Sequence, residues 1–313
     1  MDLAFCSSLK ELPPLLGQLS SVQQLDLMCC TNLENLSADF GTWTSLKQLN
    51  LRSCKNLRAL PEYMGGLSLL SNLNLHGCGR LEKLPVDFER LTSLKKLDLS
   101  GCIGLEKVSV HFEMLTSLEE LNLQLHENMS SLSSLPEELS ALQKLKTFSF
   151  QDSSNICSLP SGFGKLSSLE AITIQYCPSL KELPAGFESL AALQYLKLHR
   201  CDSLVKLPTG FEKLPSLMVL EIRDSANMEG AVMDKIINLP QCYEVCITRS
   251  TQLIEPNSMK WVPNSVFKEG QRVSFCITTE NFREVSVHGL IEIWLLKTKF
   301  CFDLVQDKFT LPH

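Results

Sequence analysis

A cysteine recurs through the first part of the chain at an interval of 24 residues, and this interval limits the possible folds more than any other feature. The series comprises Cys6, Cys30, Cys54, Cys78 and Cys102. The next step falls on His126, and after an insertion of three residues the position returns as Ser153, Cys177, Cys201 and Ser225. A fixed period of this length is typical of stacked, identical structural units. Such an array can form one elongated domain, so the 313 residues do not set the number of domains.

The unit around this cysteine has a strand-like half and a helix-like half. Residues 70–93 show it as L-x-x-L-x-L-x-x-C-x-x-L-x-x-L-P-x-x-F-x-x-L-x-S. Leu73 and Leu75 are two apart and point to the same face of an extended segment, which predicts a short strand. From Pro85 the spacing changes to three and four, which predicts a short helical or 3-10 return with three apolar positions: Leu84, Phe88 and Leu91.

Units of this kind can bury their leucines only by stacking on one another. The sequence therefore predicts an α/β solenoid, a horseshoe with a parallel β-sheet on the concave face and short helical or 3-10 segments on the convex face. About ten units fill residues 1–255, and the pattern becomes degenerate after residue 216. Residues 256–313 do not follow the repeat, and we interpret them as a C-terminal cap.

Composition and charge disfavour several classes of partner. The formal net charge is -6 and no block of Lys or Arg is longer than two residues, so nucleic acid is not an expected partner. The most apolar run, residues 289–305, is interrupted by charges and is too short to cross a bilayer. The N-terminus lacks the features of a secretory signal. We therefore expect a soluble, cytoplasmic chain without a membrane partner.

The cysteines are predicted to be reduced and structural. Their number, 13, is odd, and their positions follow the repeat rather than any pairing. Neighbouring strands lie close enough for a disulfide to form, but a buried thiol mainly packs as a small apolar group. Because no Cys-x-x-Cys pair occurs, we predict no metal site. Phosphate-loop, zinc-protease and nucleophile-elbow motifs are also missing, so we expect no cofactor and no enzymatic activity.

Two further places in the sequence bear on partners. Met1 and Leu3 correspond to Leu25 and Leu27, so the first repeat begins without a polar cap. We expect either a fragment of a longer protein or association through this N-terminal repeat. The insertion around His126 lengthens one loop, which is either a contact site or a tolerated surface insertion.

The outward positions of the predicted strands are the best candidates for binding, because core packing does not dictate them. The later repeats carry bulkier and more charged residues at these positions than the early ones do. Tyr and Arg on a rigid surface are the residue types that dominate interface energetics. The candidate protein-binding residues are Gln175, Tyr176, Tyr195, Lys197, His199, Arg200, Glu221, Arg223 and Asp224. Replacing Tyr195 and Arg200 should weaken the binding of a partner, whereas replacing Asn50 and Asn74 should change binding little.

The unit in residues 70–93 resembles the leucine-rich repeats of plant nucleotide-binding disease-resistance receptors of the TIR-NBS-LRR type, over roughly residues 1–255. The resemblance implies a cytoplasmic module that senses a pathogen-derived or host protein and restrains the nucleotide-binding switch of the receptor. Related repeats also occur in intracellular signalling scaffolds and in substrate adaptors of ubiquitin ligases. Both functions stay open as alternatives.

Overall fold

Each repeat contributes one strand to a single parallel sheet, and the strands pair in chain order. In the computed structural model the sheet contains β1 (Gln24–Asp26), β2 (Gln48–Asn50), β3 (Asn72–Asn74), β4 (Lys96–Asp98), β5 (Glu120–Gln124), β6 (Thr147–Gln151), β7 (Ala171–Gln175), β8 (Tyr195–His199), β9 (Val219–Arg223), β10 (Glu244–Ser250) and β11 (Arg272–Thr278). A separate antiparallel pair consists of β12 (Ile293–Leu295) and β13 (Thr298–Phe300). Strand β11 lies beyond residue 255, and the boundary between repeat domain and cap stays a prediction.

The structure describes residues 1–12, 21–105, 111–124, 134–225, 239 and 242, together with the backbone of β10 to β13. The insertion around His126 lies outside the described residues, as does most of the segment interpreted as a cap. In the part of the chain that is described, no helix has the length and apolarity that crossing a membrane requires.

The pairing register follows the period of the sequence. Leu49 pairs with Leu25 on one side and with Leu73 on the other, so each leucine stacks on the equivalent leucine of the next repeat. Across the insertion Leu121 pairs with Phe148, and the 24-residue step then resumes. The three extra residues are therefore accommodated outside the paired strands.

The predicted returns are short 3-10 segments, and each inserts one large apolar side chain into the core. Their bounds are Ala38–Thr42, Met64–Gly66, Phe88–Arg90, Phe112–Met114, Glu137–Ala141, Ser161–Lys165, Phe187–Ser189 and Phe211–Lys213. The segment at Phe88 begins three residues after Pro85, whose carbonyl accepts the Phe88 N–H. The predicted horseshoe with 3-10 returns is therefore confirmed.

A second, sparser ladder runs along the solenoid between the cysteine and the 3-10 segment. It consists of single parallel bridges that join one residue of each repeat to the next: Glu11 with Asn35, Asn35 with Ala59, Ala59 with Lys83, Ser134 with Ser158, and Ser158 with Glu182. One residue per repeat is too short a segment to produce an alternating pattern, so the sequence pattern did not predict it.

In the early repeats the recurring cysteine joins each repeat to the preceding one by a hydrogen bond as well as by packing. The Sγ atom donates to the carbonyl of the residue directly after the preceding strand, 27 residues earlier: Cys54 to Leu27 (3.2 Å), Cys78 to Leu51 (3.1 Å) and Cys102 to Leu75 (3.1 Å). All three thiols are buried. The expectation that the cysteine mainly packs is therefore incomplete, because a weak donor here has a defined acceptor.

Directly before this cysteine position, each described repeat has one residue in the left-handed region, with φ between 49° and 75°. Its N–H donates to a carbonyl of the next repeat, as from Ser53 to the His76 carbonyl (2.7 Å). Glycine occupies the position in only two repeats, although it alone adopts this conformation without strain. The residues are Phe5, Cys29, Ser53, Gly77, Gly101, Asp152, Tyr176, Arg200 and Asp224.

The thiol bond can be tested by replacing a buried and a half-buried cysteine. Cys78→Ala removes a buried sulfur and its hydrogen bond, so we expect a loss of about 1–2 kcal/mol in the free energy of unfolding. The control Cys29→Ala alters a half-buried thiol and should change stability by less than about 0.5 kcal/mol. Urea denaturation would measure both values, and equal losses would contradict a role for the buried thiol bond.

The left-handed position can be tested at Gly101. An alanine there would be strained at φ +74°, and its Cβ would lie 3.0 Å from both Cα and N of Gly77. We expect Gly101→Ala to cost at least about 1–2 kcal/mol of stability. Gly79→Ala is a matched control, because its Cβ would make ordinary contacts with Ile103 at 3.6 Å or more. A thermal melt that does not separate the two variants would contradict the assignment of strain.

Candidate protein-interaction surface

The last residue of each strand from β1 to β4 points outward and is an Asp or Asn whose side chain binds the backbone. Its Oδ1 accepts the N–H of the residue two positions later, at 2.9–3.1 Å: Asp26 from Met28, Asn50 from Arg52, Asn74 from His76 and Asp98 from Ser100. This turn removes an N–H from the strand ladder, so these strands end after three residues. Asn50 and Asn74 are therefore poor neutral reference positions, because replacing them would alter the strand ends.

The turn also explains the acceptor of the cysteine thiol. With the ladder ended, the Leu27 carbonyl accepts both the Cys30 N–H (3.1 Å) and the Cys54 thiol. In β7 and β8 the pairing continues through Gln175 and His199. The Cys201 thiol there lies 3.9 Å from the Ile174 carbonyl. In the later repeats strand pairing thus replaces the hydrogen bonds from the thiol and from the Asp or Asn side chain. The side chain at the position equivalent to Asn50 is then released from the backbone.

The nine candidate residues lie on β7, β8 and β9 or directly after these strands, as predicted from the register. We call them the late-strand cluster. Pairing places Tyr195 opposite Ala171 and Val219, Lys197 opposite Glu221, and His199 between Gln175 and Arg223. Their role in binding stays a prediction.

Most charges of the late-strand cluster are paired within it. Glu221 contacts Lys197 Nζ at 3.4 Å through Oε2 and the Arg223 guanidinium through Oε1. His199 Nε2 lies 3.2 Å from Asp224 Oδ2. Exposed ion pairs contribute little stability, about 0–1 kcal/mol each, but here they hold long side chains in place on the open surface.

An aromatic and cationic stack forms the centre of the late-strand cluster. The Arg200 guanidinium carbon lies 5.5 Å from the centroid of the Tyr176 ring, within the range of a cation–π contact. The His199 ring also contacts the Tyr176 ring, at 4.8 Å between ring centroids. Tyr176 and Arg200 both adopt the left-handed conformation, which costs a bulky residue about 1–2 kcal/mol. Tyr176 and Tyr195 are 40% and 46% exposed, so aromatic surface remains open to a partner.

The sequence profile of the leucine-rich repeat region matches residues 122–286, more than half of the 313 residues. The chain belongs to the leucine-rich repeat family. A leucine-rich repeat domain is generally a protein-interaction module that binds through its extended concave surface, and it is typically non-enzymatic. No curated protein matches the chain by sequence.

Several solved structures are similar to this chain at low sequence identity. The plant peptide hormone receptor RGFR1 in complex with RGF2 is 18% identical, with a TM-score of 0.48 over 83% of this chain and 49% of that one. The leucine-rich repeat domain of the type III effector XopL is 22% identical, with a TM-score of 0.48 over 76% and 73%. InlJ from Listeria monocytogenes, whose functional domain includes a cysteine ladder, is 15% identical, with a TM-score of 0.38 over 88% and 70%. This leucine-rich repeat chain spans about half the length of the hormone receptor chain.

Sequence reasoning did not predict the polar contacts of the middle repeats. Gln124 Nε2 donates to Asp152 Oδ2 at 2.5 Å, which bridges the two strands that flank the insertion. Gln124, Gln151 and Gln175 occupy the same outward position on adjacent strands. The recurrence of Gln at one position of the repeat was the available signal, and it places a row of neutral amides that ends at Gln175 in the late-strand cluster.

A Ser, His and Asp group lies on the same face in the early repeats. His76 Nδ1 is 2.8 Å from Ser100 Oγ, and the Ser100 hydroxyl donates to Asp98. A hydrolytic triad needs the carboxylate to orient the histidine, whereas here it contacts the serine. Ser100 is also only 6% exposed. This group stabilises the strand ends and does not activate a nucleophile.

The buried thiols are poorly suited to ionise. Burial raises the pKa of Cys102, Cys177 and Cys201 to about 12 and also raises the pKa of Cys54 and Cys78. Thiolates are the nucleophilic and metal-binding form of cysteine, so these thiols are chemically inert near neutral pH. Within the described residues, no group of three or more His, Cys, Asp or Glu side chains is arranged to hold a metal ion.

These pKa shifts predict a loss of stability at alkaline pH. The unfolded thiols ionise near pH 8.5, whereas the folded thiols of Cys102 and Cys177 keep their protons to about pH 12. Their contribution to stability is complete below pH 8.5, and between these values each thiol lowers the free energy of unfolding by about 1.4 kcal/mol per pH unit. Denaturation curves measured across this interval should show a shallower decline for Cys102→Ala/Cys177→Ala. An equal decline of stability with pH in the variant and in wild type would contradict the raised pKa values of the two thiols.

Proposed function

We propose that this leucine-rich repeat chain recognises a protein through the late-strand cluster on its concave face. The observation that carries the proposal is the contact of Arg200 with Tyr176 on the same open face as exposed Tyr195. The left-handed position recurs in every described repeat, and at Tyr176 and Arg200 it is occupied by two exposed side chains that contact each other. Exposed Tyr and Arg side chains held in place lose little conformational freedom on binding.

We further propose that the chain is the ligand-sensing and autoinhibitory part of a plant disease-resistance-like protein in the cytoplasm. The support is the resemblance of the cysteine-containing repeat, as in residues 70–93, to the repeats of those receptors. Its ligand would be a pathogen-derived or host protein rather than nucleic acid or a membrane. In this proposal the chain itself performs no catalysis and binds no cofactor. A signalling scaffold or a ubiquitin-ligase substrate adaptor would use the same surface.

The proposal is tested by proximity labelling in plant cells with wild type and Tyr195→Ala/Arg200→Ala. We expect the double variant to lose specific partners, because truncating central aromatic and Arg contacts costs a few kcal/mol of binding free energy. Affinities for the recovered partner, measured with the purified chain by calorimetry, should fall accordingly. Recovery of immune receptors or of pathogen proteins would support the sensing role, whereas ligase subunits would favour the adaptor.

The matched control is Gln48→Ala/Arg52→Ala on the early part of the same face. Gln48 occupies the strand position of Tyr195, and Arg52 is an exposed arginine one residue before a left-handed position. Both variants should melt at nearly the wild-type temperature, because all four side chains lie outside the core. An identical set of partners for wild type and for Tyr195→Ala/Arg200→Ala, or equal losses in both double variants, would rule out the late-strand cluster as the contact surface.

A further inference from the structure

The left-handed positions of four adjacent repeats form a row in which one charged side chain has no ion pair among the described residues. The row consists of Asp152, Tyr176, Arg200 and Asp224. The two carboxylates at its ends are already bound, Asp152 to the Gln124 amide and Asp224 to His199. Within the described residues neither carboxylate forms an ion pair with Arg200, and no other acidic side chain does. The Arg200 guanidinium therefore lies over a tyrosine ring without a counter-charge in the described part of the chain.

The geometry of Arg200 suits one kind of ligand atom. The Arg200 guanidinium lies over the Tyr176 ring and makes no ion pair among the described residues, so its N–H donors remain available to a ligand. Those donors match the two oxygens of a carboxylate in a bidentate contact. Because Tyr176 and Arg200 already contact each other in this structure, the receptor group is formed before any ligand arrives.

The charge of the surrounding cluster favours a single negative charge. Glu221 pairs with both Lys197 and Arg223, so Arg200 is the basic side chain of the late-strand cluster that has no ion pair among the described residues. One carboxylate would supply that ion pair. A doubly charged phosphate would be repelled more strongly than a carboxylate by Asp152 and Asp224 at the ends of the row.

We infer that Arg200 is a carboxylate receptor and that the partner places an Asp or Glu side chain against its guanidinium, beside the Tyr176 ring of the late-strand cluster. This inference rests on the proposed function, because it names the chemistry of the partner at the same surface. The exposed Tyr176 ring favours an apolar or aromatic residue beside the acid, since the ring would otherwise stay in contact with water.

The test uses short random peptides displayed on phage and selected against the complete chain. The selected peptides should be enriched in an acidic residue next to an apolar one. One such peptide and its version with the acid replaced by the corresponding amide are then titrated by fluorescence anisotropy. Arg200→Gln should weaken the acidic peptide about tenfold and leave the amide peptide unchanged, because only the acid uses the guanidinium.

Two further variants separate binding from folding. Arg52→Gln removes another exposed arginine of the same face and should affect neither peptide. Arg200→Gly also removes the guanidinium but relieves the left-handed backbone, so it should reproduce the loss of the acidic peptide in a chain that melts no earlier than wild type. If Arg200→Gly binds the acidic peptide as wild type does, the inference is overturned.

The remaining outcomes distinguish this inference from the proposed function. Peptides that depend on Tyr195 but show additive effects of Arg200→Gln and the amide replacement would overturn the carboxylate receptor and leave the contact surface standing. Tighter binding of a phosphorylated peptide than of the acidic one would likewise overturn it. Peptides whose affinity is unchanged by both Tyr195→Ala and Arg200→Gln would overturn the proposed surface itself.

Discussion

Parallel pairing of equivalent residues in successive repeats is the constraint on which the rest of the structure depends. When Leu25, Leu49 and Leu73 align, every other position of the repeat aligns with them. The buried leucines then form one continuous core, and the outward residues form rows across the strands. Because the register survives the insertion before Phe148, the rows also continue from the early into the later repeats. The late-strand cluster is a product of this register, since its members are far apart in sequence and adjacent in space.

The early and later repeats satisfy the same backbone groups in two ways. In β1 to β4 an Asp or Asn side chain takes one N–H, and a cysteine thiol donates to the carbonyl that is left. In β7 and β8 the strands extend by two residues, and backbone pairing takes over. The difference matters for function because it determines which outward side chains are free. Lys197 and Glu221 occupy the position at which the Asn50 and Asn74 side chains accept a backbone N–H in the early repeats.

The sequence predicted the repeat, the parallel sheet, the 3-10 returns and the location of the candidate residues. These features follow from period and alternation, which are local properties of the chain. The bridges at Asn35 and Ala59 and the stack of Arg200 on Tyr176 were not predicted. A bridge of one residue leaves no periodic signal, and a side-chain contact between repeats depends on backbone angles that composition does not specify. The Asp and Asn turns were predictable, because these residues recur at Asp26, Asn50, Asn74 and Asp98 and favour such turns.

Because the strands differ in length, the stiffness of the solenoid also differs from one end to the other. In an array whose repeats contact only their neighbours, each interface contributes its own free energy, and the weakest interface separates first. Three residues pair at each interface among β1 to β4, and five pair at each interface from β5 to β9. The array is therefore stiffer where the late-strand cluster lies and more compliant toward β1. A partner held at the stiff part would meet a nearly rigid template, while bending and torsion of the molecule would be taken up elsewhere.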